Sequence, residues 1–523
     1  MTRRRYTRQV PSSQGSSRRN FLTTLGAGAV AALVAPALIR RASAQSAAPE
    51  GGFLSSSDSG VDPTKVSTVR LAQLIREKKI SAVDAVKQCY RRIDEVNPKI
   101  NAVVAFCRER ALSEAQAADA ALAAGKILGP LHGVPFTIKD SFDTEGVVST
   151  AGTLGRKDYV PGVDATVVAR VRAAGAILLG KTNTPEFTLG GGGKGTVNLV
   201  YGLTKNPYNL NYQPSGSSGG PGAIVASGGV PFDIGSDYGG SIRGPAYANG
   251  IAGIKPTLGR SSRWGHIVGY GGAFDTFQET GPLARRVEDL YLILSLIGGP
   301  DGHDAALAPV PLRNPAGVDL KSLRVAYYVT NGWVDPTPEV QAAVKKTADY
   351  FTELGCKVTQ DLPPKWKEQA EIRQKFEGAD GREHIRALLK KWGTTQASPG
   401  LSITGDVLPS ADFTRLSEQL DATRSEQLAW VEQYDLIIAP ASDQAPITLD
   451  YERPKDRPMA GASYTAIYNT NGWPAGVVRA ATSEKDGLPI GVQVVGQPWR
   501  DDVVLAALAH VESRTGGWQK PPI

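Results

Sequence analysis

The chain has 523 residues, 41% of them apolar and 21% charged, with 58 glycines and 35 prolines. This is the makeup of a globular, enzyme-sized protein and excludes disorder, collagen and coiled coil; length alone suggests about three domains, although large α/β sheets often exceed that size as one unit. The net charge of +7 hints at nucleic acid until its location is considered: residues 1–44 hold eight arginines, no lysine and no acid, so the remainder carries −1. A basic surface for phosphate backbones therefore has no compositional support.

Those first residues read as an export signal. A basic stretch leads to Ser17-Arg18-Arg19-Asn20-Phe21-Leu22, then an apolar run from Phe21 to Ile39 and a small-residue stop at Ala42-Ser43-Ala44. The arginine pair followed by an apolar residue resembles a twin-arginine signal, which addresses folded proteins to a bacterial export machinery. Cleavage before Gln45 and a periplasmic or secreted location are the expectation, with a retained membrane anchor as the alternative. No later stretch reaches 18 unbroken apolar residues, so no membrane association is expected after cleavage.

A Ser/Gly/Pro-rich linker over 45–63 precedes the body, 64–523. Ser67 is placed to cap a helix carrying Val69, Leu71, Leu74 and Ile75, and Ser81 with Asp84 makes a capping box ahead of Val83, Val86, Tyr90 and Ile93. An alanine-rich helix runs from about Glu109 to Ala124 and ends at Gly125. Val134–Ile138 reads as a buried strand, Ala165–Ala174 as a helix closed by Gly175, and Ile177–Gly180 as the next strand, an alternation that points to α/β. Leu323–Val329, a helix from Thr337 to Leu354 and Leu436–Ala439 continue it; Val477–Ala481 and Ile490–Val495 flank a turn at Asp486-Gly487 as a hairpin. Cys89, Cys107 and Cys356 are too few and too scattered for a disulfide framework or a zinc site, and Cys89 falls on an apolar helix face as a buried thiol.

The densest glycine lies between Gly190 and Gly272, where backbone N–H groups are free to cradle an anion or an oxyanion. Gly190, Gly192 and Gly195 satisfy G-x-G-x-x-G, but no strong strand precedes them, and Gly195 follows Lys194 where a phosphate loop needs Ser or Thr. Gly216-Ser217-Ser218-Gly219-Gly220 satisfies G-x-S-x-G with Ser218 as nucleophile, which suggests an α/β-hydrolase-like esterase. That reading needs an apolar strand where Asn209 to Pro214 is polar and turn-like. It also needs a histidine base, and none of His132, His266, His303, His384 or His510 sits in an evident catalytic pattern.

A third reading takes two serines and a lysine together. Gly133-Val134-Pro135-Phe136-Thr137-Ile138-Lys139-Asp140, Gly216-Ser217-Ser218-Gly219-Gly220 and Gly235-Ser236-Asp237-Tyr238-Gly239-Gly240-Ser241-Ile242-Arg243 resemble, in order and spacing, the amidase signature family. The resemblance extends from the helices near Val66 to the hairpin Asp486–Gln493. It implies a single large α/β domain with a mixed, twisted β-sheet flanked by helices. It further implies a Ser-cis-Ser-Lys triad of Lys139, Ser217 and Ser241, with Ser241 as nucleophile and Ser217 passing protons to and from Lys139. A lysine can serve as base if burial disfavours its ammonium form, and Lys139 directly follows an apolar strand. By the same resemblance the backbone N–H groups of Tyr238, Gly239 and Gly240 hold the oxyanion, and Ser218, Asp237 and Arg243 support the loop.

The implied reaction is hydrolysis of a linear carboxylic amide, with ester or carbamate turnover as a side activity, a small-molecule amide as the partner, and no metal or organic cofactor. Family members that serve as amidotransferase subunits need partner chains and a large cytoplasmic nucleic-acid substrate, against which the export signal argues. A non-catalytic binding role is disfavoured by the intact Lys139, Ser217 and Ser241. Departures from the common pattern are Ser215 before Gly216, Pro221 after the double glycine, and Tyr238 in place of a smaller side chain. Gly190–Gly195 and the segment holding Trp264, Tyr270, Phe274 and Phe277 are candidates for the cleft wall or for ordinary core.

Overall fold

The computed structural model describes residues 62–523 apart from 190–192, 194, 268–271 and 460–462. The export leader and nearly all of the linker therefore lie outside the described residues, as do Tyr270 and the side chain of Phe274. The opening helices form as their caps dictate. In α1 (Thr68–Arg76) the Ser67 hydroxyl accepts from Arg70 N, and in α2 (Ala82–Ile100) the Ser81 hydroxyl accepts from Asp84 N. The Asp84 carboxylate reaches back to the Ser81 hydroxyl at 2.8 Å rather than to its backbone N–H. Cys89 is fully buried on the inner face of α2, and all three cysteines are free and buried. Helix α3 (Arg108–Ala123) precedes Gly125, whose φ of +75° suits glycine.

The core of the body is an 11-stranded mixed sheet. Its strands in chain order are β1 (Val103–Phe106), β2 (Pro135–Lys139), β3 (Ile177–Thr182), β4 (Phe232–Asp237), β5 (Ala252–Lys255), β6 (Glu279–Ala284), β7 (Arg324–Tyr327), β8 (Lys357–Gln360), β9 (Leu436–Pro440), β10 (Ala475–Thr482) and β11 (Pro489–Gly496). The spatial order is β1-β3-β2-β4-β6-β5-β10-β11-β9-β7-β8. β2 pairs in parallel with both β3 and β4, whereas β4 and β6, and β10 and β11, pair antiparallel. The single α/β domain expected from the alternation of elements, with a large mixed sheet flanked by helices, is the architecture observed. The sequence reading passed over β4, whose Asp, Gly and Ser have poor strand propensity, because pairing with two neighbours outweighs intrinsic preference there.

This topology places the chemistry. From β2 the chain crosses through α4 (Thr166–Ala173) to β3 on one side, then returns through α5 (Gly219–Ala226) to β4 on the other. Such reversals leave a crevice at the carboxyl ends of the parallel strands, and Lys139 and Asp237 are the last residues of β2 and β4. Helix α5 begins at the serine-rich loop and lies close against its neighbours: a Cβ at Gly235 would meet Ser218 Oγ at 2.6 Å, and one at Gly220 would run into the backbone of Asn183. Pro221 sits in the first turn of α5, where a missing N–H breaks no intrahelical bond. Among the described residues no helix is long and apolar enough to cross a membrane, and no group of three or more His, Cys, Asp or Glu is placed to hold a metal ion.

Beneath the crevice, Phe136 of β2 and Phe232 of β4 stack with ring centroids 5.3 Å apart and planes 5° from parallel, both fully buried. Removing one ring leaves a cavity in a close-packed core, so Phe232→Ala is expected to cost about 3–5 kcal/mol in urea unfolding, with activity falling only as folded protein is lost.

Candidate active site

Lys139 is fully buried at the end of β2, and its Nζ lies 2.7 Å from Ser217 Oγ and 3.0 Å from Ser236 Oγ. Burial pushes the amine down to about 7, opposed by the weaker pull of the Asp237 and Asp233 carboxylates. A fully buried ammonium would otherwise be held at a cost of several kcal/mol. The neutral amine has a lone pair able to take a proton, which is the property a lysine base requires. Asp233, also buried, is pushed up to about 7 by desolvation despite hydrogen bonds from the Thr137 and Thr182 hydroxyls.

Ser217 follows a cis Gly216-Ser217 peptide bond and is nearly buried, while Ser241 is half-buried and lines a cavity of about 610 Å³ together with Ser215, Gly216, Tyr238, Gly239 and Gly240. The two serine loops are tied at the backbone, where Ser218 N–H donates to the Ser241 carbonyl at 3.2 Å. The structure thus brings Lys139 and Ser217 into direct contact. Ser241 Oγ has no hydrogen bond to a described residue and stands free towards the cavity. Ser215, where glycine is frequent, has a φ of +65°, the left-handed region that favours glycine.

The loop carrying Ser241 is fixed by one buried ion pair. Arg243 Nε and Nη2 donate to Asp237 Oδ2 and Oδ1 at 3.0 and 2.9 Å, with both side chains fully buried. Arg243 Nη1 reaches on to Thr465 O (2.9 Å) and Gln493 Oε1 (2.7 Å), so the closing hairpin is coupled to the loop. Desolvation alone would raise the Asp237 carboxyl, but Arg243, Asn469 and the Ile242 N–H hold it well below the usual carboxylate range. Asp237 also accepts from Gly240 N–H at 2.7 Å.

That last bond alters the expected oxyanion donors. The Gly240 N–H is already satisfied, whereas the amides of Tyr238, Gly239 and Ser241 have no acceptor among the described residues. The carbonyls of the loop are tied as well: that of Tyr238 accepts from Arg373 Nη2 at 2.5 Å, that of Gly239 from the Thr465 hydroxyl at 2.7 Å, and that of Gly240 from Gly244 N at 2.6 Å. Gly240 has a φ of +126°, and a Cβ there would run into Thr465, so only glycine fits. The Tyr238 ring packs edge-on to Phe277 at 5.9 Å and beneath the Arg373 guanidinium at 5.0 Å.

Ser218 is fully buried with its hydroxyl on the Ser236 carbonyl (3.4 Å), and no histidine bonds it, which removes what the esterase reading needed. Phe277 belongs to a buried cluster with Ile372 and Phe376, and Trp264 stacks on His303 at 4.3 Å, so both are packing residues. Of the glycine tract, Gly193 accepts from the cavity residue Gln213 at 3.0 Å. Sequence reasoning missed His266: its Nε2 lies 2.9 Å from Ser236 Oγ, one step from Lys139. Ser236 lay in plain view between Gly235 and Asp237, but nothing local connected it to a histidine 30 residues onward.

A family model described as Amidase matches residues 84–505. The chain belongs to the amidase family. This amidase is 34% identical over 470 residues to an indoleacetamide hydrolase of Bradyrhizobium diazoefficiens, covering 86% of each chain. It is 32% identical over 481 residues to a glutamyl-tRNA(Gln) amidotransferase subunit of Moorella thermoacetica, covering 86% of this chain and 97% of that one. Among solved structures, a 6-aminohexanoate cyclic dimer hydrolase with bound substrate superposes with a TM-score of 0.77 at 28% identity, over 88% of this chain and 99% of the other. A bacterial aryl acylamidase superposes with a TM-score of 0.73 at 27% identity, over 87% and 96%. The amidase is accordingly a hydrolase of amide C–N bonds.

Removing one partner of the buried pair strands the other charge. Arg243→Met in the amidase is expected to lower stability by about 3–5 kcal/mol in urea unfolding; a change below about 1 kcal/mol would mean that the pair does not brace the loop.

Proposed function

We propose that this chain is an exported amidase that hydrolyses a small linear carboxylic amide through an acyl-enzyme on Ser241, with Ser217 and Lys139 as the proton relay. The observation that carries the reading is the buried Lys139 amine 2.7 Å from Ser217 Oγ, its ammonium form disfavoured by burial, near a cavity lined by Ser241 and by the loop whose Tyr238, Gly239 and Ser241 amides have no acceptor among the described residues. Ser241 Oγ attacks the substrate carbonyl carbon; Ser217 takes its proton and gives its own to the Lys139 lone pair. The carbonyl oxygen, now anionic, is received by the N–H groups of Tyr238, Gly239 and Ser241, each oxyanion donor typically supporting about a hundredfold or more in rate. As the intermediate collapses the C–N bond breaks, and the proton returns through Ser217 to the leaving nitrogen. Water then attacks the acyl-enzyme by the same relay, releasing the carboxylic acid and restoring Ser241.

A small organic amide as substrate is supported by the cavity, whose volume of about 610 Å³ lies within the range of small-molecule sites and whose wall includes Tyr238, Trp366 and Met459. The named relatives that act on indoleacetamide and aryl acylamides support the same class. The likeness to amidotransferase subunits supports a second reading, in which the isolated chain is inactive and requires partner chains. Export rests on the Arg18-Arg19 leader and its small-residue stop.

The relay is tested by mapping a fluorophosphonate label, which reacts with activated serines in the isolated chain. Label on Ser241 that is abolished by Lys139→Ala supports it; label on Ser218 that survives Lys139→Ala contradicts it, and no label supports the partner-dependent reading. Because only the neutral amine accepts a proton, amide hydrolysis is expected to be full above pH 7 and to fall as the pH drops through about 7. Export is checked by N-terminal sequencing after expression in a bacterial host: a periplasmic protein starting at Gln45, lost on replacing Arg18 and Arg19 with lysine, is the expected result.

A further inference from the structure

The Lys139 amine has two hydroxyls to satisfy, those of Ser217 and Ser236. A neutral amine offers two N–H donors and one lone pair, so the direction of the Ser236 bond decides where the lone pair points. Ser236 Oγ has one hydrogen and two neighbours among the described residues, Lys139 Nζ at 3.0 Å and His266 Nε2 at 2.9 Å. If Nε2 carries a hydrogen and donates to Ser236, the serine proton has only the Lys139 lone pair to go to, and the base is occupied. If Nε2 is bare it accepts the serine proton; Lys139 then donates to Ser236 and turns its lone pair to Ser217.

We infer that His266 is a positioning residue that works as the Nδ1-protonated tautomer, drawing the Ser236 hydroxyl proton to Nε2 and so leaving the Lys139 lone pair for Ser217. The surroundings hold the ring in place and leave its tautomer to one neighbour. The ring is nearly buried, held edge-on by Phe142 at 4.9 Å, and its backbone forms an antiparallel bridge with Phe142. Its Nδ1 lies 2.9 Å from Nε2 of Gln278, itself buried. In that orientation the amide donates to Nδ1 and favours the inactive tautomer; a half-turn of the amide brings its oxygen to Nδ1 and favours the working one, so the working state includes that turn of Gln278. Burial, with the Arg156 and Arg263 charges, keeps the imidazole neutral, so tautomer rather than charge is the variable.

This inference rests on the proposed relay, and the experiment separates the two. The rate of Ser241 labelling by a fluorophosphonate, measured from pH 5 to 9, is compared among His266→Phe, His266→Gln, Ser236→Ala and the Ser236→Ala/His266→Phe double variant, with thermal melts to confirm folding. His266→Phe is expected to slow labelling about tenfold or more, whereas His266→Gln, whose amide oxygen accepts from Ser236, is expected to stay within about threefold of the parent. In the Ser236→Ala background His266→Phe should have no further effect, because the two act through one hydroxyl. Nitrogen-15 histidine spectra, assigned by the His266→Phe variant, should show a bare Nε2. Equal rates for His266→Phe and the parent, additive losses, or a protonated Nε2 would overturn the inference while leaving the relay intact. Labelling of Ser241 that persists in Lys139→Ala would remove the relay itself.

Discussion

Burial of a primary amine at the carboxyl end of a central strand is the constraint on which the rest of the site depends. In water the Lys139 side chain would be an ammonium ion, useless as a base at neutral pH; with no exposure it is pushed down to about 7. The difference corresponds to about 5 kcal/mol of lost solvation for the charged form. The same dry interior would penalise any unpaired charge, and the protein handles its two kinds of group differently. Lys139 meets hydroxyls and its ammonium form is disfavoured, whereas Asp237 is kept charged by a bidentate arginine and three backbone amides.

That division explains the architecture around it. The parallel trio β3-β2-β4 ends its strands at one edge, delivering Lys139 from β2 and, from β4, Asp237, the anchor of the loop that carries Ser241. Glycine does the rest by absence of a side chain: Gly235 admits the N-terminus of α5, and Gly240 lets its loop take a left-handed turn against Thr465. The carbonyls of Tyr238, Gly239 and Gly240 are each tied by a hydrogen bond, and the Gly240 N–H is held by Asp237, so the loop's backbone is fixed at four points.

Much of this was legible in the sequence where local physics controls the outcome. Ser67 and Ser81 cap their helices, Gly125, Gly175 and Gly355 lie just beyond the helices they close, and the strand ending at Lys139 is a run of apolar and β-branched residues. The segment ending in Lys139-Asp140 and the two serine-glycine motifs singled out Lys139, Ser217 and Ser241, of which the structure sets Lys139 against Ser217. What the sequence did not disclose depends on tertiary pairing. β4 reads poorly as a strand, the Gly240 amide is diverted by Asp237, and Asn469, Thr465 and Gln493 reach the loop from more than 200 residues away. His266 escaped notice for the same reason, since its partners Ser236 and Gln278 come from β4 and from the segment just before β6 rather than from any spaced motif.

The central claim, that the fold holds Lys139 as a neutral amine, is tested most directly by titrating it. Carbon-13 labelling of lysine side chains, with the Lys139 resonance identified by its loss in Lys139→Met, reports the charge on this amine alone across pH 5 to 11. A midpoint near 7, below the buried Lys181 and Lys255, which desolvation pushes down to about 8, and well below exposed lysines at about 10.4, is the predicted result. An amine that stays charged through pH 9 would contradict the account, because no lone pair would then be present to accept the Ser217 proton.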